Sequence, residues 1–538
     1  MESKPVFGID LGTTYSCIAY VDEHGRPVVA PNSENALTTP SVVYFESENN
    51  IVVGQIAKDT AKIYPELIVQ TVKRHMGDAN WLRSFYGRDY RPQDVSALIL
   101  RKVVGDAEQV LGQTIEDVVI TCPAYFGNVE KEATRQAGTI AGLNVRFVVP
   151  EPMAAAFAYG VDAMEGQTIM VYDLGGGTFD GTLLQVPGTI LSTVGDLNLG
   201  GRDWDDDLVT FFAWKFQEVT GVSSDDLLAD LQVWQELTNE AEKCKMALSS
   251  CNSYKVRVRS GLHNVPIEVT RVDFEQITRH RLDRTIEETK ILFERGQEKG
   301  ALVETILLVG GSTFMPQVEA RLQQEFPSCE LLRRDPNQIV AKGAALIGYK
   351  YQIDEEIERL MTPGISRDQA VEKVASATGM TSKAITLLNK TVLTTVTAKS
   401  FGVVTFNKKK NEDEVMNLIQ VDDPLPINVT RAVYTVADRQ TRVILSVVQN
   451  KHRVTGEQHV VPMDECEVIG SAEVVFKNPL PAQSQIDVTY TLDLDGILKV
   501  EALDVTTRVT AVGAFTSEAL LSADELESRK RAMAVDVS

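Results

Sequence analysis

Short runs of apolar, β-branched residues alternate with stretches of helical periodicity over residues 6–351. Residues 41–45 ("SVVYF") are typical of the first kind, and residues 95–111 and 231–248 are typical of the second. Because strands and helices follow one another in this way, the pattern predicts an α/β architecture for this part of the chain.

The pattern changes twice further along the chain. Residues 362–388 are small, polar and helical in character, whereas residues 401–515 consist of closely spaced strands separated by turn signals. The second stretch predicts an all-β module. Its clearest hairpin has Asp495-Gly496 at the turn, a pair that suits the positive φ angles of a type I′ turn.

The chain ends in a predicted short helix, because Ser522 and Glu525 form a capping box. The 538 residues are too many for one hydrophobic core, so we expect about two or three domains. The net charge of −22 argues against nucleic acid or an anionic membrane as partners. The N-terminus has no secretory pattern and the six cysteines form no Cys-x-x-Cys pair, so we expect a cytoplasmic protein with reduced thiols.

Two glycine-rich turns repeat one pattern, "GIDLGTTYSCIAY" and "VYDLGGGTFDGTLL", with Asp10 and Asp173 in corresponding places. Glycines let backbone N–H groups approach an anion closely, and threonine hydroxyls add donors. A carboxylate at the same turn repels phosphate unless a divalent cation lies between them. One such turn alone is most often only a hairpin turn. Two matched copies indicate a clamp for a Mg²⁺–polyphosphate.

A third segment, residues 306–322, has a strand, a Gly-Gly turn and a helix. Its glycines permit close approach to a flat ligand such as a nucleoside. Taken alone, the same segment is equally well explained as a tight connection between a strand and a helix.

The chain resembles the 70-kDa heat-shock chaperones of the DnaK type. The nucleotide-binding domain of that family is matched, in order, by "GIDLGTTYS", "CPAYFGNVEKEATRQAGTIAGLNV", "PEPMAAAFAYG", "DLGGGTFD", "GDLNLGGRDWD" and "VGGSTFMP". Its substrate-binding domain is matched by "DPLPINVT", "GSAEVVFKNPLP" and "LDLDGILKVEALD". The resemblance implies an α/β actin-like ATPase domain of two duplicated lobes, an all-β sandwich that binds peptide, and a short C-terminal helix.

The resemblance also implies the domain limits. The nucleotide-binding domain would span residues 1–388, with 362–388 as an extra helical segment that has no counterpart in the family. Residues 389–400 would be the interdomain linker and residues 401–515 the β-sandwich. Residues 516–538 would form a short helical stub, without the long helical lid of the family.

Site residues carried over from the family pattern fall into three groups. The implied catalytic residues are Asp10, Lys73, Glu151, Asp173 and Thr178. The implied nucleotide-binding residues are Gly12, Thr13, Thr14, Tyr15, Gly175, Gly176, Gly177, Gly200, Gly201, Glu242, Lys245, Ser249, Gly310, Gly311 and Ser312. The metal would be held, mostly through water, by Asp10, Asp173 and Asp180. The implied cofactors are ATP or ADP and Mg²⁺, with K⁺ as a further cation that the resemblance allows.

Several positions depart from the family pattern. Met246 and Phe314 replace the two arginines that enclose adenine, so we expect weaker ATP binding or a changed base preference. Lys131 replaces an arginine in the segment that relays the nucleotide state, and keeps its charge without the bidentate fork. Polar residues of the interdomain surface are replaced by Phe147, Pro150 and Met153.

The linker departs furthest. Only Val392 and Leu393 are apolar in its docking run, and Thr395 and Ala398 replace an aspartate and a proline of the family. Each fully buried large apolar side chain contributes about 1.5–3 kcal/mol, so we expect the loss of two to be enough to abolish docking of the linker.

The function implied by the resemblance is an ATP-dependent chaperone that hydrolyses ATP slowly and binds unfolded or nascent polypeptides, together with a J-domain protein and a nucleotide-exchange factor. The alternative is a non-cycling regulatory or scaffold homologue that keeps ATP as a structural ligand and acts with a J-protein, for example at the ribosome. A sugar kinase or another actin-fold enzyme is disfavoured by the β module.

Overall fold

A computed structural model describes residues 5–537 apart from residues 161–165, 187, 391–392, 408–409, 411, 436, 452–459, 494–497, 506–507, 514–519 and 534–535. The predicted Asp495-Gly496 turn and Val392 of the linker lie outside the described residues. None of the helices in the described part of the chain is both long and apolar enough to cross a membrane.

The first stretch, up to residue 160, contains mixed strands and helices. Its elements are β1 (Phe7–Asp10), β2 (Tyr15–Val21), β3 (Pro27–Val29), β4 (Thr39–Pro40), β5 (Val42–Phe45), β6 (Asn50–Val53), α1 (Gln55–Thr60), β7 (Ile68–Gln70), β8 (Arg83–Phe85), β9 (Arg88–Tyr90), α2 (Pro92–Leu111), β10 (Asp117–Cys122), α3 (Asn128–Ile140), β11 (Asn144–Pro150) and α4 (Glu151–Gly160). Two 3₁₀ turns, Pro65–Leu67 and Val72–His75, flank β7.

The second stretch, residues 166–390, has the same mixed character. Its elements are β12 (Thr168–Leu174), β13 (Phe179–Gln185), β14 (Thr189–Asp196), α5 (Gly201–Thr220), α6 (Ser224–Ala229), α7 (Leu231–Leu248), β15 (Ser253–Ser260), β16 (His263–Thr270), α8 (Arg271–Ile277), α9 (Arg279–Glu298), β17 (Val303–Val309), a 3₁₀ turn (Gly311–Phe314), α10 (Pro316–Glu325), β18 (Glu330–Arg333), α11 (Ile339–Leu360), α12 (Arg367–Thr378) and α13 (Ser382–Lys390).

The third stretch is built of strands and ends in a helix. Its elements are β19 (Phe401–Asn407), β20 (Glu412–Ile419), β21 (Ile427–Tyr434), β22 (Gln440–Asn450), β23 (Val460–Pro462), a 3₁₀ turn (Met463–Glu465), β24 (Cys466–Leu480), β25 (Gln485–Leu492), β26 (Leu498–Asp504), β27 (Val509–Gly513), α14 (Ala523–Ala532) and β28 (Asp536–Val537). Mixed sheets with helices, an all-β part and a C-terminal helix therefore follow one another as the sequence predicts.

Two mixed sheets have the same topology. The first sheet has the order β11-β10-β1-β2-β3, and the second has the order β18-β17-β12-β13-β14. In each, the central strand pairs in parallel with one neighbour and in antiparallel fashion with the next strand along the chain. The two predicted glycine turns therefore lie at equivalent places, at the carboxyl end of each central strand, where ligands bind to such sheets.

Helix α11 returns from the second sheet and packs on the first. A Cβ on Gly8 of β1 would lie 2.1 Å from the backbone nitrogen of Ala345, and one on Gly343 would lie 1.8 Å from the carbonyl oxygen of Ala154 in α4. These glycines allow helix backbones to approach the sheet and each other directly. The close contact links the two sheets through one long helix.

Residues 362–388 form most of a helical hairpin, α12 and α13, that packs on α11. Helix α12 begins with a Ser366–Gln369 capping box, and Ala370, Val374 and Ile385 are buried against α11. The hairpin thus extends the apolar core just before the linker.

Two sheets of the third stretch face each other across one core. Their orders are β23-β20-β19-β22-β24 and β21-β25-β26-β27. Val447 from the first and Val488 and Tyr490 from the second are fully buried between them. Val129 of α3 belongs to the same apolar cluster, and Lys399 lies 3.5 Å from Glu130, so the all-β part contacts the first stretch directly.

The described part of the linker docks on the second sheet. Thr394 donates its backbone N–H to the Gly188 carbonyl at 3.0 Å, and its carbonyl accepts from the Ile190 N–H at 2.8 Å. Leu393 packs against a buried apolar cluster. The expected loss of docking is wrong for the described part of the linker, because much of this contact is made by backbone groups and does not need the large apolar side chains.

The C-terminal segment, residues 520–537, is anchored on the first stretch. The Gln136 side chain forms hydrogen bonds to both the N–H (3.0 Å) and the carbonyl (2.9 Å) of Leu521. Arg529 of α14 contacts the fully buried Asp94 of α2 at 3.0 Å. Strand β28 pairs in parallel with β6, and the predicted Ser522–Glu525 capping box is present.

Replacing Arg529 should loosen this segment. Asp94 keeps its bond from the Arg91 N–H, and Arg529 is partly exposed, so we expect Arg529→Ala to lower the free energy of unfolding by only about 1–2 kcal/mol. Amide hydrogen exchange over residues 522–533 should become faster. Arg531→Ala, which changes an exposed arginine of the same helix, is the matched control. Unchanged exchange in Arg529→Ala would show that the ion pair does not hold the segment.

Candidate functional site

Two turns meet face to face between the sheets. The first turn, residues 11–14, follows β1, and the second turn, residues 175–178, follows β12. A Cβ on Gly176 would lie 1.9 Å from Thr14 Oγ1, and one on Gly177 would lie 2.2 Å from Thr13 Cγ2. Only glycine allows this approach, so the predicted residues Thr13, Thr14, Gly176 and Gly177 come together.

The N-terminus of α5 abuts the second turn. The N–H groups of Gly201 and Arg202 donate to the carbonyls of Gly175 (2.9 Å) and Gly176 (2.7 Å). A Cβ on Gly200 would lie 2.4 Å from the Gly177 carbonyl carbon. The predicted residues Gly200 and Gly201 therefore support the second turn from behind.

Four carboxylates surround one ammonium group beside these turns. Asp10 ends β1 and accepts a hydrogen bond from the Thr121 hydroxyl at 3.2 Å. Asp173 and Asp180 face each other as cross-strand partners in the β12–β13 hairpin. Glu151, the first residue of α4, forms a buried ion pair with Lys73 from the 3₁₀ turn Val72–His75. When all five groups are ionised, three negative charges remain uncompensated.

Burial and mutual repulsion change the acidity of these groups. Burial and the Glu151 charge raise the pKa of Asp10 from 3.8 to about 7. Burial and the same charge raise the pKa values of Asp173 and Asp180 well above their ordinary value. For Lys73, burial opposes the charged form, but the carboxylates of Glu151 and Asp10 raise its pKa. A cluster of this kind is poised to bind a cation.

The donor set fits a hydrated divalent cation. Neither carboxylate oxygen of Asp180 makes a hydrogen bond of good geometry within the described residues, although the side chain is buried. Among those residues, no three His, Cys, Asp or Glu side chains converge closely enough to ligate a metal by themselves. Mg²⁺ commonly keeps several waters and binds one or two carboxylates plus phosphate oxygens, which suits this geometry.

The third glycine segment joins the same site. Gly310 has φ +83°, and a Cβ there would lie 2.6 Å from Asp173 Oδ1. The Ser312 hydroxyl donates to the Gly175 carbonyl at 2.9 Å. The segment from Gly310 to Ser312 therefore borders the second turn, as the nucleoside interpretation requires.

Thr178 completes the second turn. Its carbonyl accepts from the Gly175 N–H at 3.1 Å, and its side chain is buried near the phenol of Tyr125. On the first turn, the Gly12 carbonyl accepts from the Ser41 hydroxyl at 2.8 Å. Both turns are thus held in place by their own neighbours.

Comparison with known proteins decides the family. The model of the family described as "Hsp70 protein" matches residues 6–83, 78–352 and 348–536. Chaperone protein DnaK of Halobacterium salinarum strain R1 is 34% identical over 514 residues, which are 94% of this chain and 74% of the relative. DnaK of strain NRC-1 of the same organism gives the same values. The chain belongs to the Hsp70 family.

Membership makes the chain an ATP-dependent molecular chaperone, and both relatives are chaperones by name. The family also implies binding of ATP or ADP with Mg²⁺. The facing turns and the carboxylate cluster of this Hsp70 are consistent with that chemistry.

Of the residues that the resemblance assigns to the nucleoside, α7 carries Glu242 and Lys245, and Ser249 caps its C-terminus. Lys245 donates to the Gly201 carbonyl at 2.7 Å, and the Ser249 hydroxyl donates to the Lys245 carbonyl at 3.3 Å. The Tyr15 hydroxyl donates to Glu242 at 3.2 Å, so its side chain faces α7 and only its backbone adjoins the first turn.

Sequence reasoning missed two cations at this site. Lys58 of α1 donates to the Tyr15 hydroxyl at 2.8 Å and forms an ion pair with Glu242. Arg74 donates to the Gly177 carbonyl at 2.8 Å. Neither lies in a glycine motif, although the position of Arg74 directly after Lys73 was a signal that could have identified it.

The two replaced adenine positions keep a cation nearby. Met246 is 64% exposed and Phe314 is 44% exposed, as walls open to a ligand would be. The Arg333 guanidinium lies 5.3 Å from the centroid of the Phe314 ring. Arg333 thus places a cation beside one of the two positions at which the sequence predicts a loss of cationic stacking.

The replaced interdomain residues serve packing. Phe147 stacks on Tyr351 with 4.0 Å between ring centroids, and Met153 is buried. Lys131 is also buried. The polar groups missing from this surface have thus been exchanged for apolar contacts.

Removing the Phe314 ring should weaken nucleotide binding. We expect Phe314→Ala to raise the Kd for ATP about fivefold, because an aromatic contact contributes about 1 kcal/mol. Arg333→Gln should have a smaller effect, and none in the Phe314→Ala background, because it acts through the ring. Equilibrium binding of ATP and GTP measures both. If Arg333→Gln lowered ATP affinity equally with and without the Phe314 ring, Arg333 would not act through that ring. Arg279→Gln on α9 is the control.

Neutralising Asp10 should stabilise the nucleotide-free protein in EDTA. Since its pKa rises from 3.8 to about 7 on folding, the folded protein binds a proton that the unfolded chain releases, and stability falls as pH rises across this interval. Asp10→Asn removes that cost. We expect its gain over the wild type to be about 1–3 kcal/mol larger at pH 8 than at pH 5, by urea denaturation. An equal gain at both pH values would exclude this origin, and the exposed Asp226→Asn is the control.

Proposed function

We propose that this Hsp70 hydrolyses ATP slowly between its two mixed sheets and couples that reaction to polypeptide binding by its all-β part. The observation that carries the proposal is the meeting of two glycine turns beside a buried cluster of four carboxylates and Lys73. Phosphoryl transfer to water depends mainly on positioning and charge neutralisation, and this arrangement supplies both.

The proposed domain division follows the sheets. Residues 1–388 would form an actin-like nucleotide-binding domain with a first lobe built on the first sheet and a second lobe built on the second sheet. The shared strand order of the two sheets supports a duplication. Residues 389–400 would be the linker, residues 401–515 the peptide-binding sandwich, and residues 516–538 the segment containing α14.

Asp10, Asp173 and Asp180 would hold hydrated Mg²⁺. This role is supported by the excess negative charge and by the buried oxygens of Asp180, which make no hydrogen bond of good geometry within the described residues. When bound, Mg²⁺ would neutralise phosphate charge. The role of K⁺ at the same cluster remains a family-based expectation.

Each predicted residue has a task in this arrangement. Lys73 would neutralise γ-phosphate charge, and Glu151, its ion-pair partner, would orient the Lys73 ammonium and the attacking water. Thr178 and the hydroxyls and N–H groups of the two turns would hydrogen-bond the β- and γ-phosphates. Glu242, Lys245, Ser249 and the segment Gly310–Ser312 would line the nucleoside.

Unfolded or nascent polypeptides would bind the all-β part, in a cytoplasmic setting, with a J-domain protein and an exchange factor as partners. The docked Thr394 and the contact between Lys399 and Glu130 support coupling between the two parts. The contact of Lys399 with Glu130 connects the end of the linker to α3. The residues just before α3 in sequence include Pro123 and Tyr125.

The alternative function, a non-cycling scaffold, is favoured by a different observation. The segment from Leu521 to Val537 is anchored to the first lobe by Gln136, by Asp94 and by strand pairing. Multiple anchors of this kind would oppose the domain movements of a cycling chaperone.

Single-turnover hydrolysis of labelled ATP by the full chain distinguishes the two functions. We expect slow hydrolysis that an added J-domain accelerates, and that Lys73→Ala lowers about a hundredfold, because it removes a charge at the transferred phosphate. Lys255→Ala on the exposed hairpin β15–β16 is the control. Tight retention of ATP with no turnover above Lys73→Ala would instead support the scaffold.

A further inference from the structure

All three glycine carbonyls of the second turn accept hydrogen bonds from neighbouring elements. The Gly175 carbonyl accepts from the Gly201 N–H and the Ser312 hydroxyl, both at 2.9 Å. The Gly176 carbonyl accepts from the Arg202 N–H at 2.7 Å. These three donors belong to the second lobe itself.

The third carbonyl is held from the opposite lobe. The Gly177 carbonyl accepts from Arg74 Nε at 2.8 Å, and Arg74 lies on the 3₁₀ turn Val72–His75. That turn is packed in the first lobe, because Val72 and Met76 belong to its apolar core. The second turn therefore reaches its final hydrogen-bonding pattern only when the two lobes are together.

A held carbonyl fixes the N–H group of the next residue. In a trans peptide the C=O and the following N–H point in opposite directions, and the peptide plane rotates as a unit. The bond from Arg74 to the Gly177 carbonyl therefore fixes the rotation of the Gly177–Thr178 peptide and with it the direction of the Thr178 N–H. Glycine has no side chain to restrain this peptide, so the restraint has to come from such a contact.

We infer that Arg74 is a positioning residue that orients the Gly177–Thr178 peptide for the terminal phosphate of ATP when the lobes close. This inference deepens the proposed function and rests on it. Arg74 would not touch the phosphate and would act through the Gly177 carbonyl.

A second contact explains why an arginine stands here. Arg74 Nη2 contacts Asp203 Oδ2 at 2.7 Å, and the same oxygen accepts from the Gly200 N–H at 2.7 Å. The planar guanidinium holds the Gly177 carbonyl and Asp203 at once, whereas a lysine ammonium lacks this fixed fork. Both side chains are largely buried, with 15% and 12% exposed, so the contacts are shielded from water.

Lys73 and Arg74 are adjacent in sequence and have two different roles. Lys73, directly before Arg74, pairs with Glu151 of the first lobe, while Arg74 reaches the second lobe. One short 3₁₀ turn thus carries both the charge for the terminal phosphate and the contact that orients its hydrogen-bond donor. Separation of the lobes would break the contact between Arg74 and Gly177, whereas the Lys73 charge would stay in place.

Equilibrium binding of ATP and ADP to Arg74→Gln and Arg74→Lys tests the inference. Because the oriented N–H serves the terminal phosphate, we expect Arg74→Gln to weaken ATP binding about tenfold and ADP binding less than threefold. Arg74→Lys should lie between the wild type and Arg74→Gln. Arg281→Gln is the control. Arg281 of α9 pairs with Asp207, which lies on α5 like Asp203, and we expect its replacement to change neither affinity.

Hydrogen exchange of the nucleotide-free proteins provides a readout independent of turnover. We expect the amides of residues 174–178 to exchange faster in Arg74→Gln than in the wild type, with exchange elsewhere in the second lobe unchanged. Equal losses of ATP and ADP affinity, or faster exchange throughout the second lobe, would show a merely structural role and overturn the inference. If the wild type fails to hydrolyse ATP but Arg74→Gln still loses ATP over ADP, the inference stands and only the proposed hydrolysis fails.

Discussion

The close contact between two glycines of one turn and the side chains of two threonines of the other is the constraint on which the rest of the site depends. Gly176 and Gly177 lie against Thr14 and Thr13 at distances that no Cβ could occupy. This approach brings the carboxyl ends of two sheets with the same strand order together. It also places Asp10 and Asp173, one from each sheet, in a common cluster. A methyl group at either glycine would push the sheets apart and separate these charges.

The cluster stores an electrostatic cost that a ligand can relieve. Asp10, Asp173 and Asp180 are buried near Glu151, and Lys73 alone offsets them among the groups of the cluster. Burial of like charges destabilises the folded protein unless protons or cations bind. The repulsion among these carboxylates that destabilises the unliganded protein therefore favours binding of a divalent cation together with phosphate. Stability and ligand binding are linked through the same side chains.

Docking of the all-β part depends on contacts of another kind. Thr394 uses backbone groups, Leu521 is held through its backbone by Gln136, and β28 adds to β6 by strand pairing. The backbone bonds of Thr394 depend little on side-chain identity, so they persist where the linker has lost large apolar residues. Val129 and Arg529 add specific side-chain contacts. The arrangement explains how an unusual linker sequence is compatible with a docked structure.

The sequence by itself determined the order of the elements, the glycine turns and the family, because periodicity, capping residues such as Ser522 and motif spacing are local properties of the chain. It also identified Asp10, Lys73 and Asp173, which lie in or beside those motifs. Only the tertiary structure decided which groups that are remote in sequence meet at the site. Arg74 meets Gly177 and Arg333 meets Phe314 across distances in sequence that carry no periodic signal. The same holds for the docked linker, since backbone pairing between remote segments depends on where the sheets lie and not on the residues that pair.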